Sequence, residues 1–157
     1  MKKEFFFYVQ VPSIYGNKRK NGELSRHRIG IIKAANIDNK ILVTGSLISN
    51  KKDIFKRDVG FEIISKRFKE NKNVIEIKDA NKEYDIRDII KQCKITTKDQ
   101  DINLLMSPLN RLRNIKDIHG RQAVSDIQTS EGSCLEHNNY ELNRIIKLAA
   151  TVTNNWN

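Results

Sequence analysis

The sequence predicts an α+β fold in a single compact domain, and three observations lead to this prediction. Apolar residues form strand-like segments in the first third of the chain. Farther along, they recur mostly at helical spacing. The chain has 157 residues, of which 38% are apolar or aromatic, as expected for one domain with its own core. We expect one domain over residues 1–157, with a mostly antiparallel sheet of about four strands, in the order β-β-β-α-β-α, and further helices at the C-terminal end.

Three strands are predicted before residue 49. The aromatic and β-branched run "EFFFYVQV" at 4–11 favours a buried first strand. A loop with glycine and proline follows, and "RIGIIKAA" at 28–35 is the second strand. The turn "NIDNK" at 36–40 separates it from the third strand, "ILVTGSLI" at 41–48. The second and third strands therefore form a predicted hairpin.

The segment 49–71 predicts one long helix, with Ser49 or Asn50 as its N-cap. Its periodicity gives a narrow solvent face and an opposite, inner face that holds Gly60 near its centre. A glycine there allows the helix to lie close to a strand, at a cost of about 1 kcal/mol in helix propensity. The predicted solvent face consists of Asp58, Glu62, Ser65 and Lys69.

One more strand and two further helices are predicted between residues 72 and 120. "NVIEIK" at 73–78 alternates and is the fourth strand. Asn81 is the expected cap of the next helix, which buries Ile86, Ile89, Ile90 and Cys93. A helix is expected to begin after Ser107 and to end at Gly120.

The C-terminal residues predict a separate final helix. A loop is expected around Gly132, and the helix is expected to begin near Asn138, with Glu141 three residues later as a capping partner. Its buried face is predicted from apolar residues at helical spacing, namely Leu142, Ile145, Ile146 and Ala149.

The charge of the chain indicates a polyanionic partner. The formal net charge is +10, and such a field attracts nucleic acid, nucleotides or acidic proteins. The charge is uneven, because residues 1–40 carry nine cations and three acids, whereas residues 121–157 carry three cations and four acids. A lysine-rich composition alone would distribute the charge more evenly.

Two groups of residues are candidates for ligand binding. The loop and the start of the second strand combine cations with an aromatic residue, which suits phosphate contact and base stacking. The alternative is an ordinary solvated loop. These predicted nucleic-acid-binding residues are Tyr15, Lys18, Arg19, Lys20, Arg26 and Arg28.

The second group lies on the inner face of the predicted helix. Charged residues on a face that should be buried require an explanation. The charged residues on this inner face are Asp53, Lys56, Arg57 and Arg67. Their long stems could reach solvent, Asp53 could pair with Arg57 four residues on, or the group could line a cleft that binds the phosphate of a nucleotide.

A group of residues within the predicted helix also supports a resemblance to a group of known proteins. These residues are Lys52, Asp53, Phe55, Arg57, Gly60 and Arg67. Over residues 28–70 the chain resembles small phage-encoded proteins that share a hairpin followed by a Lys-Asp-x-Phe-x-Arg-x-x-Gly helix. The resemblance implies action on host machinery, including host defence, and a host-cell location. It implies no catalytic role.

Neither an enzyme nor a metalloprotein is expected. The chain has no recognised nucleophile, phosphate-loop or dinucleotide motif. The possible zinc ligands Cys93, His119, Cys134 and His137 match no common zinc spacing, so no cofactor is predicted.

The prediction is therefore a basic, non-enzymatic binding protein for nucleic acid or a nucleotide signal. A protein inhibitor that docks on an acidic or nucleic-acid-binding host complex is the first alternative, and a small hydrolase is the second. No apolar stretch reaches the roughly 20 residues of a membrane span, and the short apolar run after Lys3 does not suit a signal peptide. We therefore expect a cytoplasmic protein without a membrane partner. The sequence does not predict its oligomeric state.

Overall fold

The structure, a computed structural model, describes residues 3–12, 26–48, 55–95 and 118–154, and the side chains of the last helix over 132–152. Four antiparallel strands form one sheet in the order β1-β2-β3-β4. The predicted α+β class, with a sheet of four strands and a C-terminal helix, is confirmed. The strands are β1 Lys3–Pro12, β2 Arg26–Ile37, β3 Lys40–Leu47 and β4 Ile75–Ile77, and the helices are α1 Arg57–Glu70, α2 Ile86–Gln92 and α3 Ile118–Asn154.

The two faces of the sheet are covered by different helices. On one face, α3 packs against β1 and β2, and α2 packs between α3 and β3. This face holds the main core, which includes Phe7, Val9 and Ile32 from the sheet. The predicted buried faces of both helices are confirmed, since Ile86, Ile89, Ile90 and Cys93 of α2, and Leu142, Ile145, Ile146 and Ala149 of α3, are buried.

On the other face, α1 packs against β2 and β3. Because side chains alternate along a strand, β1 presents Phe6 and Tyr8 to this face while Phe7 and Val9 point to the main core. Phe6 remains 37% exposed. The β1 side of this face therefore retains accessible aromatic surface.

The predicted hairpin between β2 and β3 is confirmed. Ile37 pairs with Lys40, so the turn consists of Asp38 and Asn39. These two residues have φ values of 54° and 65°, which is the left-handed backbone that a tight two-residue hairpin requires and that Asp and Asn tolerate.

The predicted start of α1 is wrong. The helix begins at Arg57, and its N-cap is Lys56, whose backbone is extended and whose side chain makes no cap bond. Ser49, Asn50 and Asp53 lie outside the described residues. Since Phe55 precedes the helix and contacts Tyr8 of β1 with 6.0 Å between ring centroids, packing against the sheet outweighs the local capping preference here.

The predicted role of Gly60 is consistent with its environment. Gly60 is buried, and a methyl group added to it would lie 3.2 Å from Cδ1 of Ile31 and 3.3 Å from Cε2 of Phe55. The helix therefore approaches β2 closely at this residue. The predicted solvent face of α1 is also confirmed, since Asp58, Glu62, Ser65 and Lys69 are exposed.

Three predicted helix boundaries beyond α1 are wrong. Asp85, not Asn81, caps α2, and its carboxylate accepts a hydrogen bond from the Arg87 N–H. Gly120 and Gly132 lie within α3, which runs without interruption to Asn154. Glycine costs only about 1 kcal/mol in a helix, so packing of the following turns onto the sheet can keep Gly132 helical. The helix expected after Ser107 begins outside the described residues.

Asn138 is not a helix cap as predicted, because it lies in the interior of α3 and is fully buried. Its Oδ1 accepts from the Gln10 N–H at 3.1 Å, and its Nδ2 donates to the Gln10 carbonyl at 2.9 Å. The β1–β2 register shifts between Val9 and Gln10. The side-chain amide of Asn138 thus forms hydrogen bonds with the backbone of β1 next to a bulge.

Candidate nucleic-acid interface

The accessible part of the α1 face carries a cluster of aromatic rings. Phe6 contacts both Tyr8 and Phe61, with ring centroids 5.5 Å and 5.1 Å away. Tyr8 in turn contacts Phe55. All three pairs are edge-to-face, with interplanar angles between 73° and 86°. This arrangement is the favoured one for aromatic pairs, and it holds the rings at fixed orientations across β1 and the start of α1.

Three cations lie against these rings. Cζ of Arg28 is 3.9 Å from the Tyr8 centroid. Nζ of Lys33 is 4.9 Å, and Cζ of Arg57 is 5.3 Å, from the Phe61 centroid. These distances are within the range of cation–π contact. We call the whole group the aromatic–basic surface; it consists of Phe6, Tyr8, Arg28, Lys33, Phe55, Arg57 and Phe61.

The three cations differ in their availability to a ligand. Lys33 is 8% exposed, and its Nζ binds a carboxylate oxygen of Glu4 at 2.8 Å. It therefore neutralises an acid at the border of the surface. Arg28 and Arg57 are exposed, and among the described residues neither contacts a carboxylate within salt-bridge distance. Their guanidinium groups can accordingly take phosphate as a partner.

The structure brings together only some of the residues predicted for nucleic-acid binding. Arg28 joins the aromatic–basic surface, but Arg26 lies at 2.6 Å from the Ser133 hydroxyl of α3, to which it donates. Tyr15, Lys18, Arg19 and Lys20 lie outside the described residues.

The structure does not bring together the residues predicted for a cleft on α1. Lys56, the N-cap, and Arg57, the first residue of the helix, are exposed rather than turned inward. Arg67 lies ten residues farther on, about 15 Å along the helix axis. Arg57 and Arg67 therefore do not line one site.

Arg67 has a partner in the sheet. Its Nη1 donates a hydrogen bond to the Gly45 carbonyl. β4 pairs with β3 only over Ile41–Val43, so Gly45 lies beyond the end of the neighbouring strand. Arg67 thus supplies a hydrogen-bond donor to the part of β3 that has no pairing with β4.

A buried thiol lies near this guanidinium. Sγ of Cys93 is 3.4 Å from the Val43 carbonyl. Burial raises the pKa of the Cys93 thiol to about 12, and the Arg67 cation opposes the rise. Burial also lowers the pKa of Arg67. A thiol with so high a pKa is protonated at neutral pH and is a poor nucleophile or metal ligand.

Replacing Arg67 by methionine is expected to lower the free energy of unfolding by about 1 to 3 kcal/mol, because the buried Gly45 carbonyl would be left without its donor. Affinity for nucleic acid should not change. Urea unfolding and a binding titration on the same preparation measure the two quantities. A variant that is as stable as the wild type but no longer binds would instead place Arg67 in the ligand site.

Other kinds of site have no support within the described residues. There, no group of three or more His, Cys, Asp or Glu side chains is arranged to hold a metal ion. Over the same part of the chain, none of the helices combines the length and the apolar character that crossing a membrane requires.

The residues that sequence reasoning missed are Phe6, Tyr8, Lys33 and Phe61. The run "EFFFYVQV" predicts a buried strand, whereas Phe6 and Tyr8 belong to the less covered face. Two signals could have indicated Phe6 and Tyr8. They alternate with Phe7 and Val9 along the strand, and Arg28 lies on the neighbouring strand β2.

The chain matches no family model, no curated protein and no solved structure.

Proposed function

We propose that the protein is a non-enzymatic binding protein for single-stranded nucleic acid and that the aromatic–basic surface is its binding site. The observation that carries this proposal is the stack of the exposed Arg28 guanidinium on Tyr8, 3.9 Å from the ring centroid, next to the accessible ring of Phe6. Aromatic rings on a sheet can stack with unpaired bases, while neighbouring arginines bind phosphates.

Single strands suit this surface better than duplexes do. Phe6 and Tyr8 are two residues apart on β1, so their side chains project from the same face, and their ring centroids are 5.5 Å apart. The bases of a duplex are stacked on one another and do not offer their faces to such rings. Nonspecific attraction by a chain of net charge +10 would add affinity for either form.

A role against host defence would follow if the resemblance to phage proteins reflects common ancestry, and it remains a prediction. A nucleotide signal as ligand is a prediction as well. Arg28, Phe6 and Tyr8 could hold one base and its phosphate by the same contacts, so saturation by a mononucleotide would favour that ligand.

The test is the salt dependence of binding by a variant without the two exposed arginines. Fluorescence anisotropy with a labelled oligothymidine of about 12 nucleotides covers the usual site size. Arg28→Gln/Arg57→Gln should bind more weakly, and the slope of log affinity against log salt should become shallower by about 0.7 for each phosphate that is no longer bound.

The matched control is Lys66→Gln/Lys72→Gln, which removes the same formal charge from two exposed lysines outside the aromatic–basic surface. The control should keep nearly the wild-type slope. Equal changes in the two double variants would show that binding depends on the net charge only, and would contradict the proposed site. Equal affinity for a duplex of the same length would contradict the preference for single strands.

A further inference from the structure

A second surface lies on the opposite side of the molecule, along the exposed stripe of α3. A groove of about 670 Å³ runs along this stripe, and its lining includes Glu83, Glu136, Tyr140, Arg144, Lys147 and Leu148. Tyr140 is 67% exposed. A large aromatic side chain with this exposure, beside apolar and paired charged residues, is typical of a protein interface.

The charges on this stripe are arranged symmetrically around Tyr140. Glu136 precedes Tyr140 by four residues and Arg144 follows it by four, so each lies about 6 Å from Tyr140 along the helix axis. If a second α3 were laid antiparallel with Tyr140 facing Tyr140, each Glu136 would face the Arg144 of the other copy. The stripe is therefore complementary to itself under a two-fold axis.

Arg144 retains a donor for such a contact. Its Nε and Nη2 donate to Oε2 of Glu141 at 3.1 Å and 2.7 Å, and its side chain is 42% exposed. The remaining terminal nitrogen, Nη1, can donate to a second carboxylate. Lys147 and Glu83 form only a loose pair at 3.7 Å, with both side chains more than half exposed.

The charge distribution also favours a second copy over a polyanion as the occupant. Residues 121–157 carry three cations and four acids, in a chain of net charge +10. Two copies that approach through α3 would keep their basic surfaces apart, whereas the acids of this stripe would repel phosphates. The sheet separates α3 from the aromatic–basic surface, so contact through α3 would leave that surface accessible.

We propose that the protein forms a symmetric dimer in which α3 packs antiparallel against α3 of a second copy, with Tyr140 at the axis and Glu136 of each copy bound to Arg144 of the other. The dimer does not depend on the proposed binding of nucleic acid. Nucleic acid bound by such a dimer would occupy two outward-facing sites.

Charge reversal tests this arrangement. In sedimentation equilibrium the wild type should be a dimer, and Glu136→Arg and Arg144→Glu should each weaken the dimer at least about tenfold, because like charges then face each other twice across the axis. An equimolar mixture of the two single variants should form a heterodimer, and the double variant E136R/R144E should regain self-association. Thermal melts of each variant at low concentration establish that the monomer is folded.

A monomeric wild type would overturn the proposal. So would a wild-type dimer that neither single reversal weakens, since its interface would then lie elsewhere. If the single variants are weakened but neither their mixture nor the double variant recovers, the pairing of Glu136 with Arg144 is also wrong.

Discussion

Replacing Asn138 by leucine is expected to lower the free energy of unfolding by about 2 to 4 kcal/mol. Leucine is branched at the same carbon as asparagine and has a better helix propensity, so the loss would come from the missing contact with β1 and from the larger methyl groups at a fully buried position. The N–H and the carbonyl of Gln10, which Asn138 binds at 3.1 Å and 2.9 Å, would both lack a partner in a partly buried place. Urea unfolding followed by far-UV circular dichroism gives the difference.

The matched control for this prediction is Gln10→Thr. Asn138 binds only the backbone of Gln10 in these two hydrogen bonds, so changing the side chain of Gln10 leaves them in place. The control should unfold within about 0.5 kcal/mol of the wild type, as surface substitutions usually do. If Asn138→Leu also unfolds at the wild-type midpoint, the amide is not what joins α3 to the edge of the sheet.

Asn138 also illustrates why part of the fold could not be predicted from the sequence. Asparagine is common at helix N-caps, and Glu141 three residues later completes a local capping pattern. The actual partner, Gln10, lies 128 residues away in the chain. Nothing in the local sequence indicates such a contact, whereas the periodicity of Leu142, Ile145 and Ile146 predicts the buried face of the same helix correctly.

The strands were easier to predict than the helix ends. Aromatic and β-branched residues favour strands over many positions, and the Asp38–Asn39 turn determines the pairing of β2 with β3. A helix end depends on one or two residues, and a tertiary contact can override it. The contact of Phe55 with Tyr8 does so at the start of α1.

The candidate site was only partly predictable, for a related reason. Arg28 and Arg57 were both predicted to bind a ligand, but in two different sites, because they are 29 residues apart in the sequence. Their common neighbours are Phe6, Tyr8 and Phe61. In a run such as "EFFFYVQV", apolar residues occupy both faces of the strand, so the sequence does not reveal which face remains accessible.

Replacing Phe6 and Tyr8 together by leucine is expected to reduce the affinity for single-stranded nucleic acid by at least about thirtyfold. Stacking of one base on an aromatic side chain contributes about 1 to 3 kcal/mol, and two rings would be removed while Arg28 and Arg57 keep their charge. Leucine retains an apolar side chain beside Phe61, so the fold should persist. The measurement is the anisotropy titration with oligothymidine, beside a thermal melt.

The control for the rings is Tyr8→Phe, which keeps the aromatic face and removes only the hydroxyl. It should bind within a few-fold of the wild type and retain the contact with Arg28, since that contact is made with the ring, at 3.9 Å from its centroid. The salt dependence separates the two contributions. The double leucine variant should bind more weakly without a change in slope, because stacking releases no counterions, whereas Arg28→Gln/Arg57→Gln should change the slope. A folded double leucine variant with wild-type affinity would show that bases do not stack on β1 and that the aromatic cluster serves only to hold α1 on the sheet.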